Sequence, residues 1–243
     1  MKNFSNLYIF SFASILVIIV AALLSFVAEE LKPLQERNIE IEKKLDILRS
    51  VNMTAGIDEA ESKTDFIEEQ FGKNISESFV INSEGELVEG KNAFEIAKAL
   101  KAEMQKPLAE QGLPVFVANN PESGKKFIIP VLGKGLWGPI WGYIAIDDDY
   151  NTLYGTVFAH AKETPGLGSE INTDWFMDAF KGKKLFDIDG NFVSITVVKG
   201  KADPNDPHGV DGISGGTITS KALEKMLLDC LNPYVNYFEK QMN

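Results

Sequence analysis

PVFVANNPESGKKFIIPVLGKGLWGPIWGYIAID, residues 114–147, decides the fold class. Three runs within it, Pro114–Ala118, Lys125–Leu132 and Trp141–Asp147, are dense in β-branched and aromatic residues and are parted by Asn, Pro, Ser and Gly. Gaps this short fit hairpins. Parallel neighbours would need a crossover of about a dozen residues or more, usually a helix. Outward from this block, SFVIN (Ser78–Asn82) ends at the turn signal SEGE, and TVFAHA (Thr156–Ala161) and FVSITVVKG (Phe192–Gly200) read as further strands. Phe94, Ala97, Leu100 and Met104 give Asn92–Gln105 a helical period, and Thr173–Phe180 reads as a short helix opened by Thr173 or Asp174. Strands at hairpin spacing with few long helices between them predict an α+β domain on a mixed, mainly antiparallel sheet.

The N-terminal side is of another kind. Leu7–Ala28 reads LYIFSFASILVIIVAALLSFVA and contains no charged residue. At about 1.5 Å per residue this run spans about 33 Å, close to a hydrocarbon core of about 30 Å. A cleaved signal peptide is the competing reading, but the run is long and Val20-Ala21-Ala22, the best small-residue cleavage site, lies inside it. A single transmembrane helix over 7–28 is expected, after a short N-terminus of residues 1–6. Pro33 follows, and Leu34, Ile41, Leu45 and Leu48 then fall on one helical stripe, so 29–55 is expected to be a juxtamembrane amphipathic helix and 56–243 the domain. It is read as the first helix of the domain, in preference to a stalk. Residues 54–76 are polar and acidic, as a connector and a surface helix would be. Lys2 precedes the span, whereas Lys32, Arg37, Lys43, Lys44 and Arg49 follow it. Basic residues alone would keep the domain inside, but long domains often cross regardless.

Composition narrows the function. The net charge of -11 and pI of about 4.8 repel a phosphate backbone, and no Lys/Arg cluster with interleaved aromatics offsets them, so no nucleic-acid partner is expected. Cys230 is the sole cysteine and lies in an apolar helical pattern, which excludes an internal disulfide and reads as a buried small hydrophobe. With His160 and His208 the only histidines, no metal site is expected. The run Asp147-Asp148-Asp149 reads as a solvated strand end, with a cation site as the alternative. No Ser-His-Asp or Cys-His arrangement can be assembled, so no catalytic residue is assigned.

One further stretch carries chemistry. DGISGGTITS, Asp211–Ser220, follows the loop-like ADPNDPHG and precedes KALEKMLLDCLNPY. Leu223, Met226, Leu227, Cys230, Leu231 and Tyr234 make the latter an amphipathic helix, with Thr219 or Ser220 as its cap and Pro233 at its end. Glycines let backbone approach an anion, and a helix start offers unpaired N–H groups. Together these make a phosphate site. The plain reading is a capped helix start. The glycine and lysine spacing matches neither a Walker A nor a Rossmann fingerprint.

VDGISGGTITS resembles the flavinylation motif of the FMN-binding domain family, which runs Asp-x-x-Ser/Thr-Gly-Ala-Thr-x-Ser/Thr. Asp211, Ser214, Gly215, Thr217 and Thr219 match its fixed positions, and Gly216 stands where alanine is usual. The resemblance implies that Thr217 carries FMN through a bond from its hydroxyl to the flavin phosphate. It gives Asp211 a part in presenting the turn to a flavin transferase, with turn capping as the plain alternative. LKPLQERNIEIEKKLDIL after the span, GKGLWGPIWGYIAI (Gly133–Ile146), ETPGLGSEI (Glu163–Ile171) and GKKLFDIDGN (Gly182–Asn191) extend the likeness to the C-subunit family of sodium-pumping NADH:quinone oxidoreductases.

That likeness implies an inner-membrane protein whose domain lies on the periplasmic side, with the first six residues in the cytoplasm. It further implies that a covalent FMN relays electrons among the members of a complex that oxidises NADH, reduces quinone and exports sodium. Glu163, Thr164, Leu167 and Gly168 would contact the flavin, and Trp137, of the three tryptophans with Trp141 and Trp175, would stack on it. Relatives place one residue between a histidine and ETPGLG, whereas Ala161 and Lys162 both follow His160 here, so no role passes to His160. Two other readings stay open. One is the G component of an Rnf-type electron-transport complex, which the GLWGPIWG stretch disfavours. The other is a flavin-free structural or binding component.

Overall fold

A computed structural model describes residues 5–120 and 123–242. Its contacts divide the chain into two units, one reaching Lys43 and the other starting at Lys44. Helix α1 (Asn6–Ser50) runs through the first and ends in the second, and it passes through Pro33 unbroken. A proline inside a helix forfeits one rung, a cost of about 3 kcal/mol, and here the helix continues on either side of it. An apolar window of α1 has mean hydropathy 2.8 and none of it is buried, so the helix is long and apolar enough to cross a membrane. The division expected at residue 28 is therefore not a break in the backbone.

The second unit begins earlier than residue 56, because the last turn of α1 and the residue after it are core: Ile47, Leu48 and Val51 are fully buried. Asn52 stops the helix in the left-handed region (φ 58). Met53 N–H then donates to Leu48 O at 2.9 Å and Asn52 N–H to Arg49 O at 3.0 Å, the paired bonds of a Schellman cap. Helix α2 (Lys63–Asn74) follows, capped by Ser62.

Five strands come next: β1 (Ile75–Ile81), β2 (Leu113–Asn120), β3 (Gly124–Lys134), β4 (Pro139–Ile146) and β5 (Leu153–His160). They pair in chain order and every pair is antiparallel, as the hairpin spacing predicted. Between β1 and β2 lie α3 (Ala93–Lys98), with Asn92 capping its first turn, and α4 (Leu100–Glu103), and after β5 comes the short helix α5 (Asp174–Asp178), within the expected 173–180. Ala99, backbone neither helical nor extended, divides what the periodicity read as one helix.

Alternation along β3 sorts two cores. Phe127, Ile129 and Val131 enter one layer with α6 (Thr217–Leu231) and α7 (Val235–Met242), while Ile128 enters the other with Ile47, Val51, Ala93 and Ala97. Lys126 is buried in β3, with Nζ 2.7 Å from Asp147 Oδ1 and 4.8 Å from the Tyr154 ring centre. Asp149 accepts from Asn151 and Thr152 N–H. Asp147 and Asp149 of the acidic triplet are thus engaged at the strand end, and among the described residues there is no cluster of three or more His, Cys, Asp or Glu that could hold a metal.

Two features escaped the sequence reading. The run 192–200 keeps only β6 (Thr196–Val198), because Ser194 sits at φ 59, and β6 pairs in parallel with a short β7 (Gly209–Asp211). Helix α7 was not anticipated either, although it buries Tyr237 and Phe238.

Candidate functional site

Helix α6 lies on the sheet by Leu223, Met226, Leu227, Cys230 and Leu231, all buried. At Gly133 of β3 an added Cβ would come 2.7 Å from Met226 Cβ, so that glycine permits the approach. Cys230 is structural. Its Sγ lies 3.3 Å from Leu132 O, and burial pushes the thiol up to about 11.

The helix head is built differently from the expected cap. Gly216 occupies the cap position, Thr217 is the first helical residue, and no side chain caps the turn. Thr219 and Ser220, the expected caps, are buried inside the first turn with their hydroxyls engaged. Ser220 Oγ accepts from Ile213 N–H at 3.1 Å, which closes the turn, and Thr219 Oγ1 donates to Glu163 Oε2 at 2.6 Å. Thr217 and Ser214 remain exposed. Of the three hydroxyls in the turn's TITS segment, only that of Thr217 makes no hydrogen bond among the described residues.

A cavity of about 360 Å³ opens at Thr217. Its walls are Val197–Gly200, at the end of β6 and just past it, Gly212–Gly215, Ser220 and Lys221. Gly212 lies so close to β6 that a Cβ would come 2.5 Å from Val198 O. Gly215 takes φ +74, where its added Cβ would meet Leu167 Cδ2 at 2.6 Å. Leu167 therefore walls the far side of the turn. At Gly216 a Cβ would fall 2.8 Å from Ile213 Cγ2 and 3.2 Å from Leu167 C, so the turn is packed around a missing methyl. Alanine there, the usual residue of the resembled motif, requires a shift in this chain.

The remaining expected residues divide. Gly135 N–H donates to Gly138 O at 2.8 Å, which closes the β3–β4 hairpin and leaves Leu136 and Trp137 exposed at its tip. Trp137 is 63% exposed and lines a groove of about 760 Å³ with Leu132, Met226 and Lys225, whereas Trp175 lies elsewhere against Phe176. Thr164 O accepts from Leu167 and Ser169 N–H and shapes the ETPGLG loop, which leaves β5 at the same end of the sheet. Glu163 is buried rather than presented to the cavity. Its Oε1 accepts from Trp137 N–H at 2.9 Å, and its own N–H donates to His160 Nδ1.

Asp211 Oδ1 accepts from Ala202 N–H at 2.8 Å, so it pins the ADPNDPHG loop beside the turn. No residue of Gly182–Asn191 lines the Thr217 cavity; that segment is organised by Asn151 Oδ1 and by the Asp187 turn. Lys199 and the 197–200 backbone were missed. Only the parallel β6–β7 pairing brings them to Thr217, and short parallel pairs leave no signal in hydropathy.

The arrangement fits a phosphate ester. An exposed hydroxyl stands at a 15-residue helix start, glycine backbone lines the cavity, and so do Lys199 and Lys221, the second of which pairs with Glu224 at 2.8 Å.

The chain is similar to known proteins over most of its length. A family description, FMN-binding domain, matches residues 135–232, which contain the Trp137 hairpin, the ETPGLG loop and the acceptor turn. The C subunit of the Na(+)-translocating NADH-quinone reductase of Vibrio vulnificus is 34% identical over 221 residues, 85% of this chain and 83% of that protein. The crystal structure of the same-named protein from Parabacteroides distasonis is 43% identical, with TM-score 0.71 over 86% of this chain and 96% of that one. NqrC of Shewanella oneidensis shares the fold at 24% identity and TM-score 0.68, over 83% of this chain and 97% of that one. Identity of this order across nearly the whole of both chains places the protein in the family of Na(+)-translocating NADH-quinone reductase C subunits.

Proposed function

We propose that this chain is the flavin-carrying C subunit of a sodium-translocating NADH:quinone reductase, with FMN joined through its phosphate to Thr217 Oγ1. One observation carries the reading: Thr217 holds an exposed hydroxyl at the head of α6, while its neighbours Thr219 and Ser220 are buried and bonded.

Lys199 and the first N–H groups of α6 would neutralise the phosphodiester, with Lys221, paired to Glu224 at 2.8 Å, beside them. Leu167, Trp137 and Ile218, all exposed and apolar, would take the faces of a flat ring. Ser214, Gly215 and Gly216 shape the turn, and Thr164 and Gly168 shape the loop that carries Leu167. When bound, the flavin supplies electron transfer between other redox centres; the chain itself positions the flavin and tunes its environment. α1 would anchor the protein in a bacterial inner membrane, with the domain on the periplasmic side. There a covalent link prevents loss of the cofactor by dilution. The partners would be the other subunits of a complex that couples NADH oxidation and quinone reduction to sodium export, together with a flavin transferase that loads Thr217.

Intact mass tests the assignment on the full chain made alongside a flavin transferase. The wild-type protein should gain the mass of FMN less one water. Thr217→Ala should gain nothing and keep its melting temperature, since exposed substitutions of this kind change stability by about 0.5 kcal/mol or less. An adduct that survives in Thr217→Ala, or never forms in the wild type, refutes the reading.

A further inference from the structure

Glu163 joins three segments that are far apart in sequence. Its side chain is 4% exposed, accepts from Trp137 N–H through Oε1 at 2.9 Å, and accepts from Thr219 Oγ1 through Oε2 at 2.6 Å. Two glycines make room for that carboxylate. A Cβ at Gly135 would lie 2.5 Å from Oε1, and one at Gly168 would lie 2.5 Å from Oε2. The glycines of the hairpin tip and of the ETPGLG loop are therefore cleared for Glu163, whereas Gly166 is needed for its φ of +73. Among the described residues no Lys, Arg or His forms an ion pair with it. A desolvated carboxylate without a basic partner is costly, and its hydrogen bonds to Trp137 and Thr219 offset only part of that cost.

We propose that Glu163 is a positioning residue: it clasps the Trp137 hairpin, the ETPGLG loop and the acceptor turn in one register, and places a fixed negative charge in the wall of the flavin seat. The second half rests on the flavin reading above. In a low-dielectric setting such a charge acts over a longer range than in water, opposes the arrival of an electron nearby, and so lowers the flavin's midpoint potential.

The two halves separate by substitution. In Glu163→Gln the amide oxygen still accepts from Trp137 N–H and the amide nitrogen donates to Thr219 Oγ1, so geometry survives and charge is lost. Glu163→Ala loses both. Hydrogen exchange on the full chain in detergent, in a flavin-free Thr217→Ala background, reads the clasp. Glu163→Ala should speed exchange in residues 135–138 and 214–219 together, roughly tenfold for a lost bond of this kind, and Glu163→Gln should not. If Glu163→Ala does not fold, Thr219→Val, which removes only the arm to the acceptor turn, should speed exchange in residues 214–219. Loosening of one segment without the other in Glu163→Ala, or no loosening in the variant used, overturns the clasp. With Thr217 intact and flavin bound, the midpoint potential of Glu163→Gln should rise; an unchanged or lower potential overturns the charge. A wild-type protein that carries no adduct refutes the flavin assignment, while the exchange experiment still decides the clasp.

Discussion

Two regions of this molecule expose apolar side chains, and they do so in opposite ways. Along α1, residues such as Leu16, Ile18, Ile19 and Leu23 are exposed on every side of one uninterrupted helix. At the β3–β4 hairpin tip, the ETPGLG loop and the head of α6, the exposed Leu136, Trp137, Leu167 and Ile218 come one or two at a time, on turns or a helix start whose glycines and hydrogen bonds hold them in place. The first pattern satisfies its own backbone and asks only for an apolar surround, which is what a bilayer offers. The second keeps its backbone amides beside the apolar groups, which suits a ligand that is flat at one end and anionic at the other. Exposed apolar area alone does not tell these apart. The backbone beside it does.

The same chemical change should therefore have unequal effects in the two regions. Ile18→Arg with Ile19→Arg puts two charges mid-span, at about 2.5–3.5 kcal/mol each, and should move the chain out of the membrane fraction on cell fractionation. Ile218→Arg, at a side chain already 61% exposed, should leave fractionation and melting temperature unchanged while it reduces the flavin adduct seen by mass. Equal loss from the membrane in both would erase the distinction.

A smaller effect is expected at the turn. Gly215→Ala meets both the φ of +74 and Leu167 Cδ2, for a cost of about 1–3 kcal/mol, or roughly 2–10 °C in melting temperature, with a fall in adduct yield. Gly190→Ala has a similar φ of +82 but open space around it, so differential scanning of the two variants isolates the contact with Leu167. The smallest change in stability belongs to Trp137→Ala. With that ring 63% exposed, melting should shift by no more than about 0.5 kcal/mol would produce, while the fluorescence of the bound flavin rises as a stacking quencher is lost. A large drop in melting temperature would make Trp137 part of the core.

Much of the fold was legible because its signals are local. Strand runs at hairpin spacing became five strands paired in chain order, and the stripe from Leu223 to Leu231 became the buried face of α6. What failed was the reading of ends and of short pieces. Thr219 and Ser220 look like caps in sequence, yet both are turned inward by tertiary partners, Glu163 for the first and Ile213 N–H for the second. Glu163, expected from its place in ETPGLG to contact the flavin, is buried and bonded to Trp137 N–H and Thr219 Oγ1, which no local pattern signals. Lys199 carried no signal, because a three-residue parallel pair is set by what lies beside it.

By itself the sequence determined an apolar run long enough for a bilayer, an α+β domain, and a glycine turn leading into an amphipathic helix, because period, turn chemistry and length each act within a few residues. Only the tertiary structure decided which hydroxyl of that turn stays free, which glycines are cleared for Glu163, and which lysines reach the cavity. Those outcomes depend on contacts between segments dozens of residues apart, and close packing admits few arrangements of them.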